Sequence, residues 1–218
     1  MNIVLLGLPG SGKGTQAKML SKYFNIPHIS TGDIFREILN TDSTLSKRIK
    51  DYVNNGLLVP DDIVSDIVQK RIEKKDCENG FVLDGFPRNI TQAEFFKNYL
   101  GFKKKEIDAV IFFELPAEIS IKRLSARRHC PKCKRDYNLI TQPPKDDELC
   151  DVCKLKLVQR NDDKIETVTE RINVYEKETE PLVRYYSEKN LLKRVNANQP
   201  IEKVFKDTID LLKNASYN

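Results

Sequence analysis

Long apolar runs are missing from this chain of 218 residues. A helix that spans a membrane needs about 20 predominantly apolar residues. The apolar stretch near the start, Ile3 to Leu8, is far shorter and lacks the basic flank of a secretory signal. We therefore expect a cytoplasmic protein that has no membrane partner.

Histidine is also scarce, with two residues in the chain. His28 lies in an apolar run, where we expect a packed residue, and His129 adjoins a cysteine as the weaker candidate for a metal ligand. No Ser-His-Asp set and no poised Cys-His pair is apparent in the sequence. The sequence therefore argues against catalysis by a nucleophile and its neighbouring base.

The remaining composition is ordinary. Charged residues make up 32% of the chain and aromatic residues 8%, as in a globular protein rather than a disordered or fibrous one. The length fits one domain, or one domain with an insertion. The formal net charge of +5 suits a nucleic-acid binder and equally an enzyme whose substrates carry several negative charges.

Short runs rich in Ile, Val and Phe alternate with longer helical patterns, which is typical of parallel strands joined by crossover helices. Apolar spacing predicts helices from about Lys13 to Phe24, Asp61 to Lys75 and Pro116 to Arg128. A longer helical pattern from about Asp162 to Glu188 is interrupted near Pro181. The sequence predicts an α/β fold with a five-stranded sheet, whose strands are Ile3 to Leu6, Ile26 to Ser30, Phe81 to Leu83, Ala109 to Leu115 and Leu192 to Val195.

A glycine-rich segment, GLPGSGKGT from Gly7 to Thr15, lies between the first predicted strand and the first predicted helix. Its glycines allow a tight turn that presents backbone N–H groups, and Lys13 adds a positive charge. The N-terminus of the following helix also favours an anion. This context predicts a nucleotide phosphate site rather than a simple connecting turn.

The phosphate loop departs from its usual form at Gly14, where a Ser or Thr hydroxyl normally meets Mg²⁺. Either Thr15 takes that role or the metal is held elsewhere. Asp84 and Asp33 lie at the ends of predicted strands or loops and are candidates to reach Mg²⁺ through water. The segment that begins at Asp84 follows a predicted strand, at the edge of an open parallel sheet where ligands bind.

Arginines are concentrated in the segments that flank the phosphate loop. Arg123 and Arg127 are four residues apart, and we expect them to share one helix face. A solvated basic surface is the alternative, but such a set suits a reaction whose transition state spreads charge over phosphoryl oxygens. A phosphate acceptor, with a second pKa of about 6, is already a nucleophile at neutral pH and needs no base. The arginines are Arg36, Arg88, Arg123, Arg127, Arg160 and Arg171.

Four of the five cysteines follow the pattern Cys130-x2-Cys133-x16-Cys150-x2-Cys153. This spacing predicts a closed four-cysteine zinc site with a structural role, and it favours a reducing compartment. The surrounding segment, about 129–159, is poor in apolar residues and is predicted to be an insertion that depends on the metal. Cys77 is expected to be half-buried and incidental.

Several segments resemble, in order, the successive motifs of the adenylate kinases. They are GLPGSGKGTQA, ISTGDIFRE, NNGLLVPDD, NGFVLDGFPRNITQA, the CxxC insertion and RNDDKIETVTERI. The resemblance covers essentially the whole chain and implies the reaction ATP + AMP ⇌ 2 ADP with Mg²⁺, on a P-loop nucleoside monophosphate kinase fold. It also implies a core of residues 1–29, 60–125 and 164–218, an AMP-binding segment of residues 30–59 and a zinc-containing lid of residues 126–163.

The resemblance also assigns site residues at the matched positions. The ATP site would comprise Gly10, Ser11, Gly12, Lys13, Gly14, Thr15, Arg127, Asp136, Tyr137 and Gln199, with Asp136 contacting ATP through its backbone. The AMP site would comprise Thr31, Arg36, Leu57, Leu58, Val59, Gly85, Phe86, Pro87, Arg88, Gln92, Arg160 and Arg171. Phosphoryl transfer would depend on Lys13, Arg88, Arg123, Arg127, Arg160 and Arg171. In this family Mg²⁺ rests mainly on phosphates and waters, with Asp84 behind the waters, which accounts for Gly14.

Two alternatives stay open. Another nucleoside monophosphate kinase, such as a UMP/CMP kinase or a GTP-using AMP kinase, would share the motifs, although the long metal lid and Thr31 with Gln92 favour AMP. A P-loop protein could instead bind nucleic acid through its zinc ribbon, but Tyr137 is the one aromatic residue of the insertion and four acids at 146–151 would repel a phosphate backbone. We expect a monomer that binds ATP, AMP and ADP and no nucleic acid.

Overall fold

The computed structural model describes residues 1–215, in which strands and helices alternate along the chain. The strands are β1 (Asn2–Gly7), β2 (His28–Ser30), β3 (Phe81–Asp84), β4 (Ala109–Glu114), β5 (Arg127–His129), β6 (Asp136–Asn138) and β7 (Leu192–Asn196). The α-helices are α1 (Lys13–Phe24), α2 (Thr31–Leu39), α3 (Thr44–Asn54), α4 (Asp61–Ile72), α5 (Ile90–Phe102), α6 (Ala117–Ser125), α7 (Ile165–Val174), α8 (Pro181–Glu188) and α9 (Ile201–Ala215). Two 3-10 turns, Lys75–Cys77 and Asn161–Asp163, and a π-helical turn, Tyr175–Thr179, lie between them.

Five strands form one parallel sheet in the order β2-β3-β1-β4-β7. Every residue of the central strand β1 is buried, because helices cover both faces of the sheet, and such strands have continuous apolar sequences. The predicted five-stranded α/β fold is confirmed. The strand predicted from Ile26 is shorter in the structure and begins at His28, since Pro27 has no N–H to donate to a ladder.

The core lies on both faces of this sheet. Successive side chains of a strand point to opposite faces, so Val4 and Leu6 of β1 pack in one cluster with α4, α5 and α8. Ile3 and Leu5 pack in a second cluster with α1 and α9. The two clusters fix the carboxyl ends of the strands, where the loops that carry the polar residues begin.

The helix predicted from Pro116 to Arg128 is wrong at its C-terminal end. Helix α6 ends at Ser125, and Arg127 lies in β5, where it is paired with Asn138 of β6. Arg123 and Arg127 therefore do not share a helix face. The chain leaves the helix because the short antiparallel pair β5-β6 takes over its backbone hydrogen bonds, a long-range interaction that a four-residue spacing does not reveal.

Two other helices also differ from their predicted bounds. Helix α4 ends at Ile72 rather than Lys75, and the 3-10 turn Lys75–Cys77 follows it. The long pattern from Asp162 to Glu188 is divided into a 3-10 turn, α7, the π-turn and α8. Pro181 is the first residue of α8, where its missing N–H costs least. The break thus begins several residues before the proline.

Residues 126–163, the predicted lid, contain β5, β6 and the four paired cysteines. Their buried cluster consists of Cys130, Tyr137, Cys150 and Leu157. Two of these four residues are thiols, so the apolar core of the segment is minimal. Within residues 1–215, no helix is long and apolar enough to cross a membrane.

Candidate active site

The glycine-rich loop joins β1 to α1 and packs against α6. Gly10 has a φ of 86°, and a Cβ there would lie 2.9 Å from Leu124 Cγ and 3.0 Å from the carbonyl oxygen of Ser120. The Ser120 hydroxyl donates a hydrogen bond to the Pro9 carbonyl. Glycine is therefore required at this position by both its backbone angle and the close approach of α6.

Lys13 lies over this loop. Its Nζ donates hydrogen bonds to the carbonyl oxygens of Gly7, at 2.6 Å, and Leu8, at 2.9 Å. Burial lowers the pKa of Lys13 to about 8, although the nearby carboxylate of Asp84 opposes that shift. An anion in the loop would favour the charged ammonium, so the loop and its lysine form a site prepared for phosphate.

Asp84 lies at the carboxyl end of β3, beside the start of α1. A Cβ on Gly14 would lie 3.5 Å from Asp84 Oδ2, and His28 Nε2 lies 3.7 Å from the same oxygen. Burial favours the neutral acid, but His28 and Lys13 outweigh burial and hold the pKa of Asp84 below its usual value. The ionised oxygen beside the loop suits Mg²⁺ held through water. His28 thus faces a carboxylate and is not simply a packed core residue.

A deep cleft of ≈ 1400 Å³ opens beside the phosphate loop. Sites for one small ligand commonly have volumes of about 300–1,000 Å³, so the cleft has room for two. All six arginines singled out in the sequence line it, namely Arg36, Arg88, Arg123, Arg127, Arg160 and Arg171. Their convergence distinguishes the cleft from a solvated basic surface.

Two adjacent carboxylates hold two of these arginines. Asp163 is fully buried, and its oxygens accept hydrogen bonds from Arg127 Nη2 at 2.5 Å and Nε at 2.7 Å. Arg171 Nη1 lies 2.8 Å from Asp162 Oδ2 and 3.3 Å from Asp163 Oδ1. Burial lowers the pKa of Arg171 to about 10, and Asp162 opposes the shift. The pair thus fixes two guanidinium groups at the wall of the cleft.

Arg160 and Arg36 pair with carboxylates that are more exposed than Asp162 and Asp163. Arg160 Nη2 lies 2.5 Å from Asp136 Oδ1, and Lys18 of α1 lies 3.4 Å from the other oxygen. The side chain of Asp136, which we expected to act through its backbone, therefore joins the lid to α1. Arg36 forms an ion pair of 2.6 Å with Asp33, so Asp33 is engaged by an arginine and is a poorer metal candidate than Asp84.

The four paired cysteines form one cluster. Their Sγ atoms all lie within 4.8 Å of one another, and Cys133 Sγ lies 3.6 Å from Cys150 Sγ. Tetrahedral zinc with Zn–S bonds of about 2.3 Å requires sulfurs about 3.8 Å apart, so the cluster fits such an ion. His129 is not part of the cluster, and its Nδ1 has no hydrogen-bond partner among the described residues.

Cys77 lies apart from that cluster, in the core cluster that contains Val4 and Leu6 of β1. Its side chain is fully buried rather than half-buried, and its Sγ lies 3.1 Å from Arg71 Nη1. Burial raises the pKa of this thiol, although Arg71 opposes the shift. Cys77 is therefore a packed residue that differs from the expectation only in being more deeply buried.

Comparisons with known proteins identify the family of this chain. The family model described as "Adenylate kinase" matches residues 5–191. The adenylate kinase of Thermotoga maritima is 51% identical over 96% of this chain and 96% of its own length. The adenylate kinase of Kosmotoga olearia is 48% identical over 98% of this chain and 100% of its own length.

The chain belongs to the adenylate kinase family. The adenylate kinase of a Thermoanaerobacter strain is likewise 48% identical over 95% of both chains. The activity of the chain is therefore reversible phosphoryl transfer between ATP and AMP. The resemblance to this family is confirmed, and the assignment of the phosphate loop as the nucleotide site stays a prediction.

Every residue predicted for the ATP site lines the cleft. The set is Gly10, Ser11, Gly12, Lys13, Gly14, Thr15, Arg127, Asp136, Tyr137 and Gln199. The amide of Gln199 donates to the Asn196 carbonyl at 2.8 Å and lies 3.2 Å from Asp207. Gln199 thus helps to shape the loop before α9.

Of the twelve residues predicted for the AMP site, ten line the cleft, namely Arg36, Leu57, Leu58, Val59, Gly85, Pro87, Arg88, Gln92, Arg160 and Arg171. Thr31 and Phe86 are buried and do not line it. The Thr31 hydroxyl donates to the Gly85 carbonyl at 2.9 Å, and the ring of Phe86 packs edge-on against Phe96. These two residues support the wall of the cleft from behind.

Sequence reasoning missed several residues that support the site. Asp162 and Asp163 were visible only as part of a motif, with no sign of their burial. Thr179, in the π-turn, donates to the Arg88 carbonyl at 2.8 Å, and 91 positions separate the two residues. No local pattern could have signalled that contact.

Proposed function

We propose that this adenylate kinase transfers the γ-phosphoryl group of MgATP to AMP by positioning and charge stabilisation, without a general base. The observation that carries this mechanism is the convergence of six arginines and Lys13 on one cleft. Charge that develops on phosphoryl oxygens is stabilised best by cations that are already in place. Asp162 and Asp163, by holding Arg127 and Arg171, reduce the reorganisation that the reaction requires.

On the donor side, the backbone N–H groups of Gly10 to Thr15 and the ammonium of Lys13 would bind the ATP phosphates. Asp84 would hold Mg²⁺ through water, and the ion would supply neutralising charge to the phosphate oxygens. Arg123 and Arg127 would contact the donor phosphates. Gly14 leaves the space next to Asp84 open, which is consistent with an ion that is not bound by a loop hydroxyl.

On the acceptor side, Arg36 and Arg88 would orient the AMP phosphate, and Gln92 would face its base. The AMP phosphate is already ionised at neutral pH, so it can attack without losing a proton to the protein. Arg160 and Arg171 would then contact the transferring group. The absence of a poised base in the sequence is compatible with this route.

Water is the competing acceptor, and residues 126–163 would act as the lid that excludes it. The core would comprise residues 1–29, 60–125 and 164–218, and residues 30–59 would form the AMP-binding segment. Structural zinc on Cys130, Cys133, Cys150 and Cys153 would hold the lid together. A monomeric state and a cytoplasmic location stay predictions.

The deciding experiment is an ADP-forming assay with ATP and AMP, with and without Mg²⁺. We expect turnover that requires both nucleotides and falls by orders of magnitude without Mg²⁺. A panel of UMP, CMP and GMP as acceptors, and of GTP as donor, separates this enzyme from the related kinases. Faster turnover with a pyrimidine monophosphate, or tight salt-sensitive binding of oligonucleotides, would contradict the proposal.

A further inference from the structure

Asp61, the first residue of α4, has a carboxylate that binds side-chain amides. Gln92 Nε2 donates to Asp61 Oδ1 at 2.6 Å. Asn89 Nδ2 lies 3.1 Å from Oδ1 and 3.2 Å from Oδ2. The neighbouring Asp62 shares the same helical turn and is exposed. One of two adjacent acids is therefore held by Asn89 and Gln92, while the other faces solvent.

The contacts of Gln92 fix which end of its amide is which. Its Oε1 accepts a hydrogen bond of 2.7 Å from the backbone N–H of Arg88. A backbone N–H can only donate, and an ionised carboxylate can only accept. A flipped amide would oppose donor to donor at Arg88 and acceptor to acceptor at Asp61. Both conflicts would lie at short contacts of a side chain that is 2% exposed, where an unsatisfied polar group is costly.

Asn89 makes this arrangement rigid. It precedes α5, and its Oδ1 accepts a hydrogen bond of 2.8 Å from the backbone N–H of Gln92. The same side chain donates to Asp61 through Nδ2. Asp61, Asn89 and Gln92 therefore close a triangle of hydrogen bonds that joins the start of α4 to the start of α5.

We propose that Asp61 is a positioning residue that locks the amide of Gln92 in one orientation and thereby sets the preference for adenine over guanine in the acceptor nucleotide. The inference rests on the proposed role of Gln92 towards AMP. Gln92 lines the cleft and keeps one Oε1 lone pair and one Nε2–H for a base. Adenine carries an amino donor where guanine carries an oxygen acceptor. An amide free to flip would suit either base, whereas the locked amide offers Oε1 to the adenine amino group.

The test compares Asp61→Asn with Asp62→Asn, which removes the same charge from the same helical turn. The introduced asparagine amide can donate as well as accept, so Asp61→Asn removes one of the two constraints on Gln92. We expect Asp61→Asn to lower the ratio of kcat/KM for AMP to that for GMP by about tenfold. The loss should fall mainly on KM for AMP, with kcat changed less than about threefold. Asp62→Asn should leave that ratio within about twofold.

Gln92→Leu separates the failure of this inference from the failure of the AMP site itself. If Gln92→Leu leaves KM for AMP unchanged, the role of Gln92 towards AMP is wrong. If Gln92→Leu changes the AMP/GMP ratio and Asp61→Asn does not, the positioning role is wrong and the site stands. A lower melting temperature of Asp61→Asn with an unchanged ratio would likewise overturn the proposal, since it would show a purely structural role. The double variant Asp61→Asn/Gln92→Leu should have the same AMP/GMP ratio as Gln92→Leu alone, because the amide that Asp61 positions is then absent.

Discussion

Apolar burial differs greatly between two regions of the molecule: the five-stranded sheet with its covering helices, called the sheet domain, and residues 126–163, the proposed lid. Each face of the sheet packs aliphatic and aromatic side chains from several helices against β1, β3 and β4. The buried cluster of the lid consists of Tyr137, Leu157 and two cysteines. Burial of apolar area is the main favourable contribution to folding, so the lid needs a further source of stability.

The difference also separates two kinds of site residue. Lys13 and Asp84 lie next to the buried strands of the sheet domain, where packing fixes their positions. Arg127 and Arg160 lie in or beside the small antiparallel pair of the lid, where carboxylates hold them. The phosphate loop is therefore anchored to the packed core, whereas Arg127 and Arg160 are held by polar contacts.

Removal of the metal should have the largest effect. We expect one zinc per chain by elemental analysis, and we expect chelation to unfold the lid, because structural zinc contributes about 10–16 kcal/mol to small domains that depend on it. The melting temperature should fall and turnover should be lost, while far-ultraviolet circular dichroism retains most of the signal from the sheet domain.

The matched control is Cys77, the cysteine outside the cluster. Cys77→Ala should keep one zinc per chain, whereas Cys150→Ser should lose it. A well-folded, metal-free preparation with normal turnover would show that the lid does not depend on a metal and would contradict this prediction.

Loss of a lid arginine should have the next largest effect. Arg160→Ala should lower kcat by about 10³-fold, equivalent to about 4 kcal/mol of transition-state stabilisation. The melting temperature should change little, because its partner Asp136 is partly exposed and also contacts Lys18. Arg194→Ala is the control, since Arg194 makes an ion pair of 2.6 Å with Glu114 on β4. Near-normal turnover of Arg160→Ala would contradict the assignment.

Arg127→Ala should differ from Arg160→Ala in stability. It removes the bidentate partner of Asp163, which is fully buried, and a buried charge without its partner destabilises a fold strongly. Arg171 leaves part of the compensation in place. We therefore expect a turnover loss of orders of magnitude together with a clear fall in melting temperature, measured by calorimetry.

A pair of leucine truncations tests the two regions directly. Leu83→Ala, in β3, should lower the free energy of unfolding by about 3 kcal/mol, with or without metal. Leu157→Ala should destabilise the zinc-loaded protein alone, because the lid is already unfolded after chelation. Denaturant titrations of both variants, before and after chelation, give the four free energies of unfolding. An effect of Leu157→Ala that survives chelation would show that the lid folds without its metal.

The smallest expected effect is the uptake of protons when ATP binds. Since burial lowers the pKa of Lys13 to about 8, about half of this lysine is neutral at pH 8 in the free protein. ATP phosphates favour the charged form, so ATP binding at pH 8 should take up protons, and the uptake by Lys13 should fade towards pH 6.5. Calorimetry in buffers of different ionisation enthalpy measures the uptake. In Lys13→Arg the introduced guanidinium stays charged at pH 8, so the proton uptake should disappear. An unchanged uptake would show that a group other than Lys13 binds the proton.

Local patterns were sufficient for much of this molecule. The buried strands of a parallel sheet have continuous apolar sequences, the glycine-rich loop follows β1 directly, and the cysteine spacing is the signature of one cluster. Local patterns failed where distant segments compete for the backbone. Arg127 lies in β5 rather than in the predicted helix, because it pairs with Asn138 of β6. The π-turn before Pro181 contains Thr179, whose hydroxyl donates to the distant Arg88 carbonyl.

The sequence by itself determined the fold class, the phosphate loop, the cysteine cluster and the identity of the arginines, because each depends on residue type and on spacing along the chain. Only the tertiary structure decided which carboxylates hold those arginines, that His28 faces Asp84, and which way the amide of Gln92 points. Most of these features join residues far apart in sequence, such as Arg127 with Asp163 and Gln92 with Asp61. Their strength depends on burial and geometry, neither of which a linear pattern contains. The glycine-rich loop predicts a phosphate site, but the tertiary structure determines which side chains surround it.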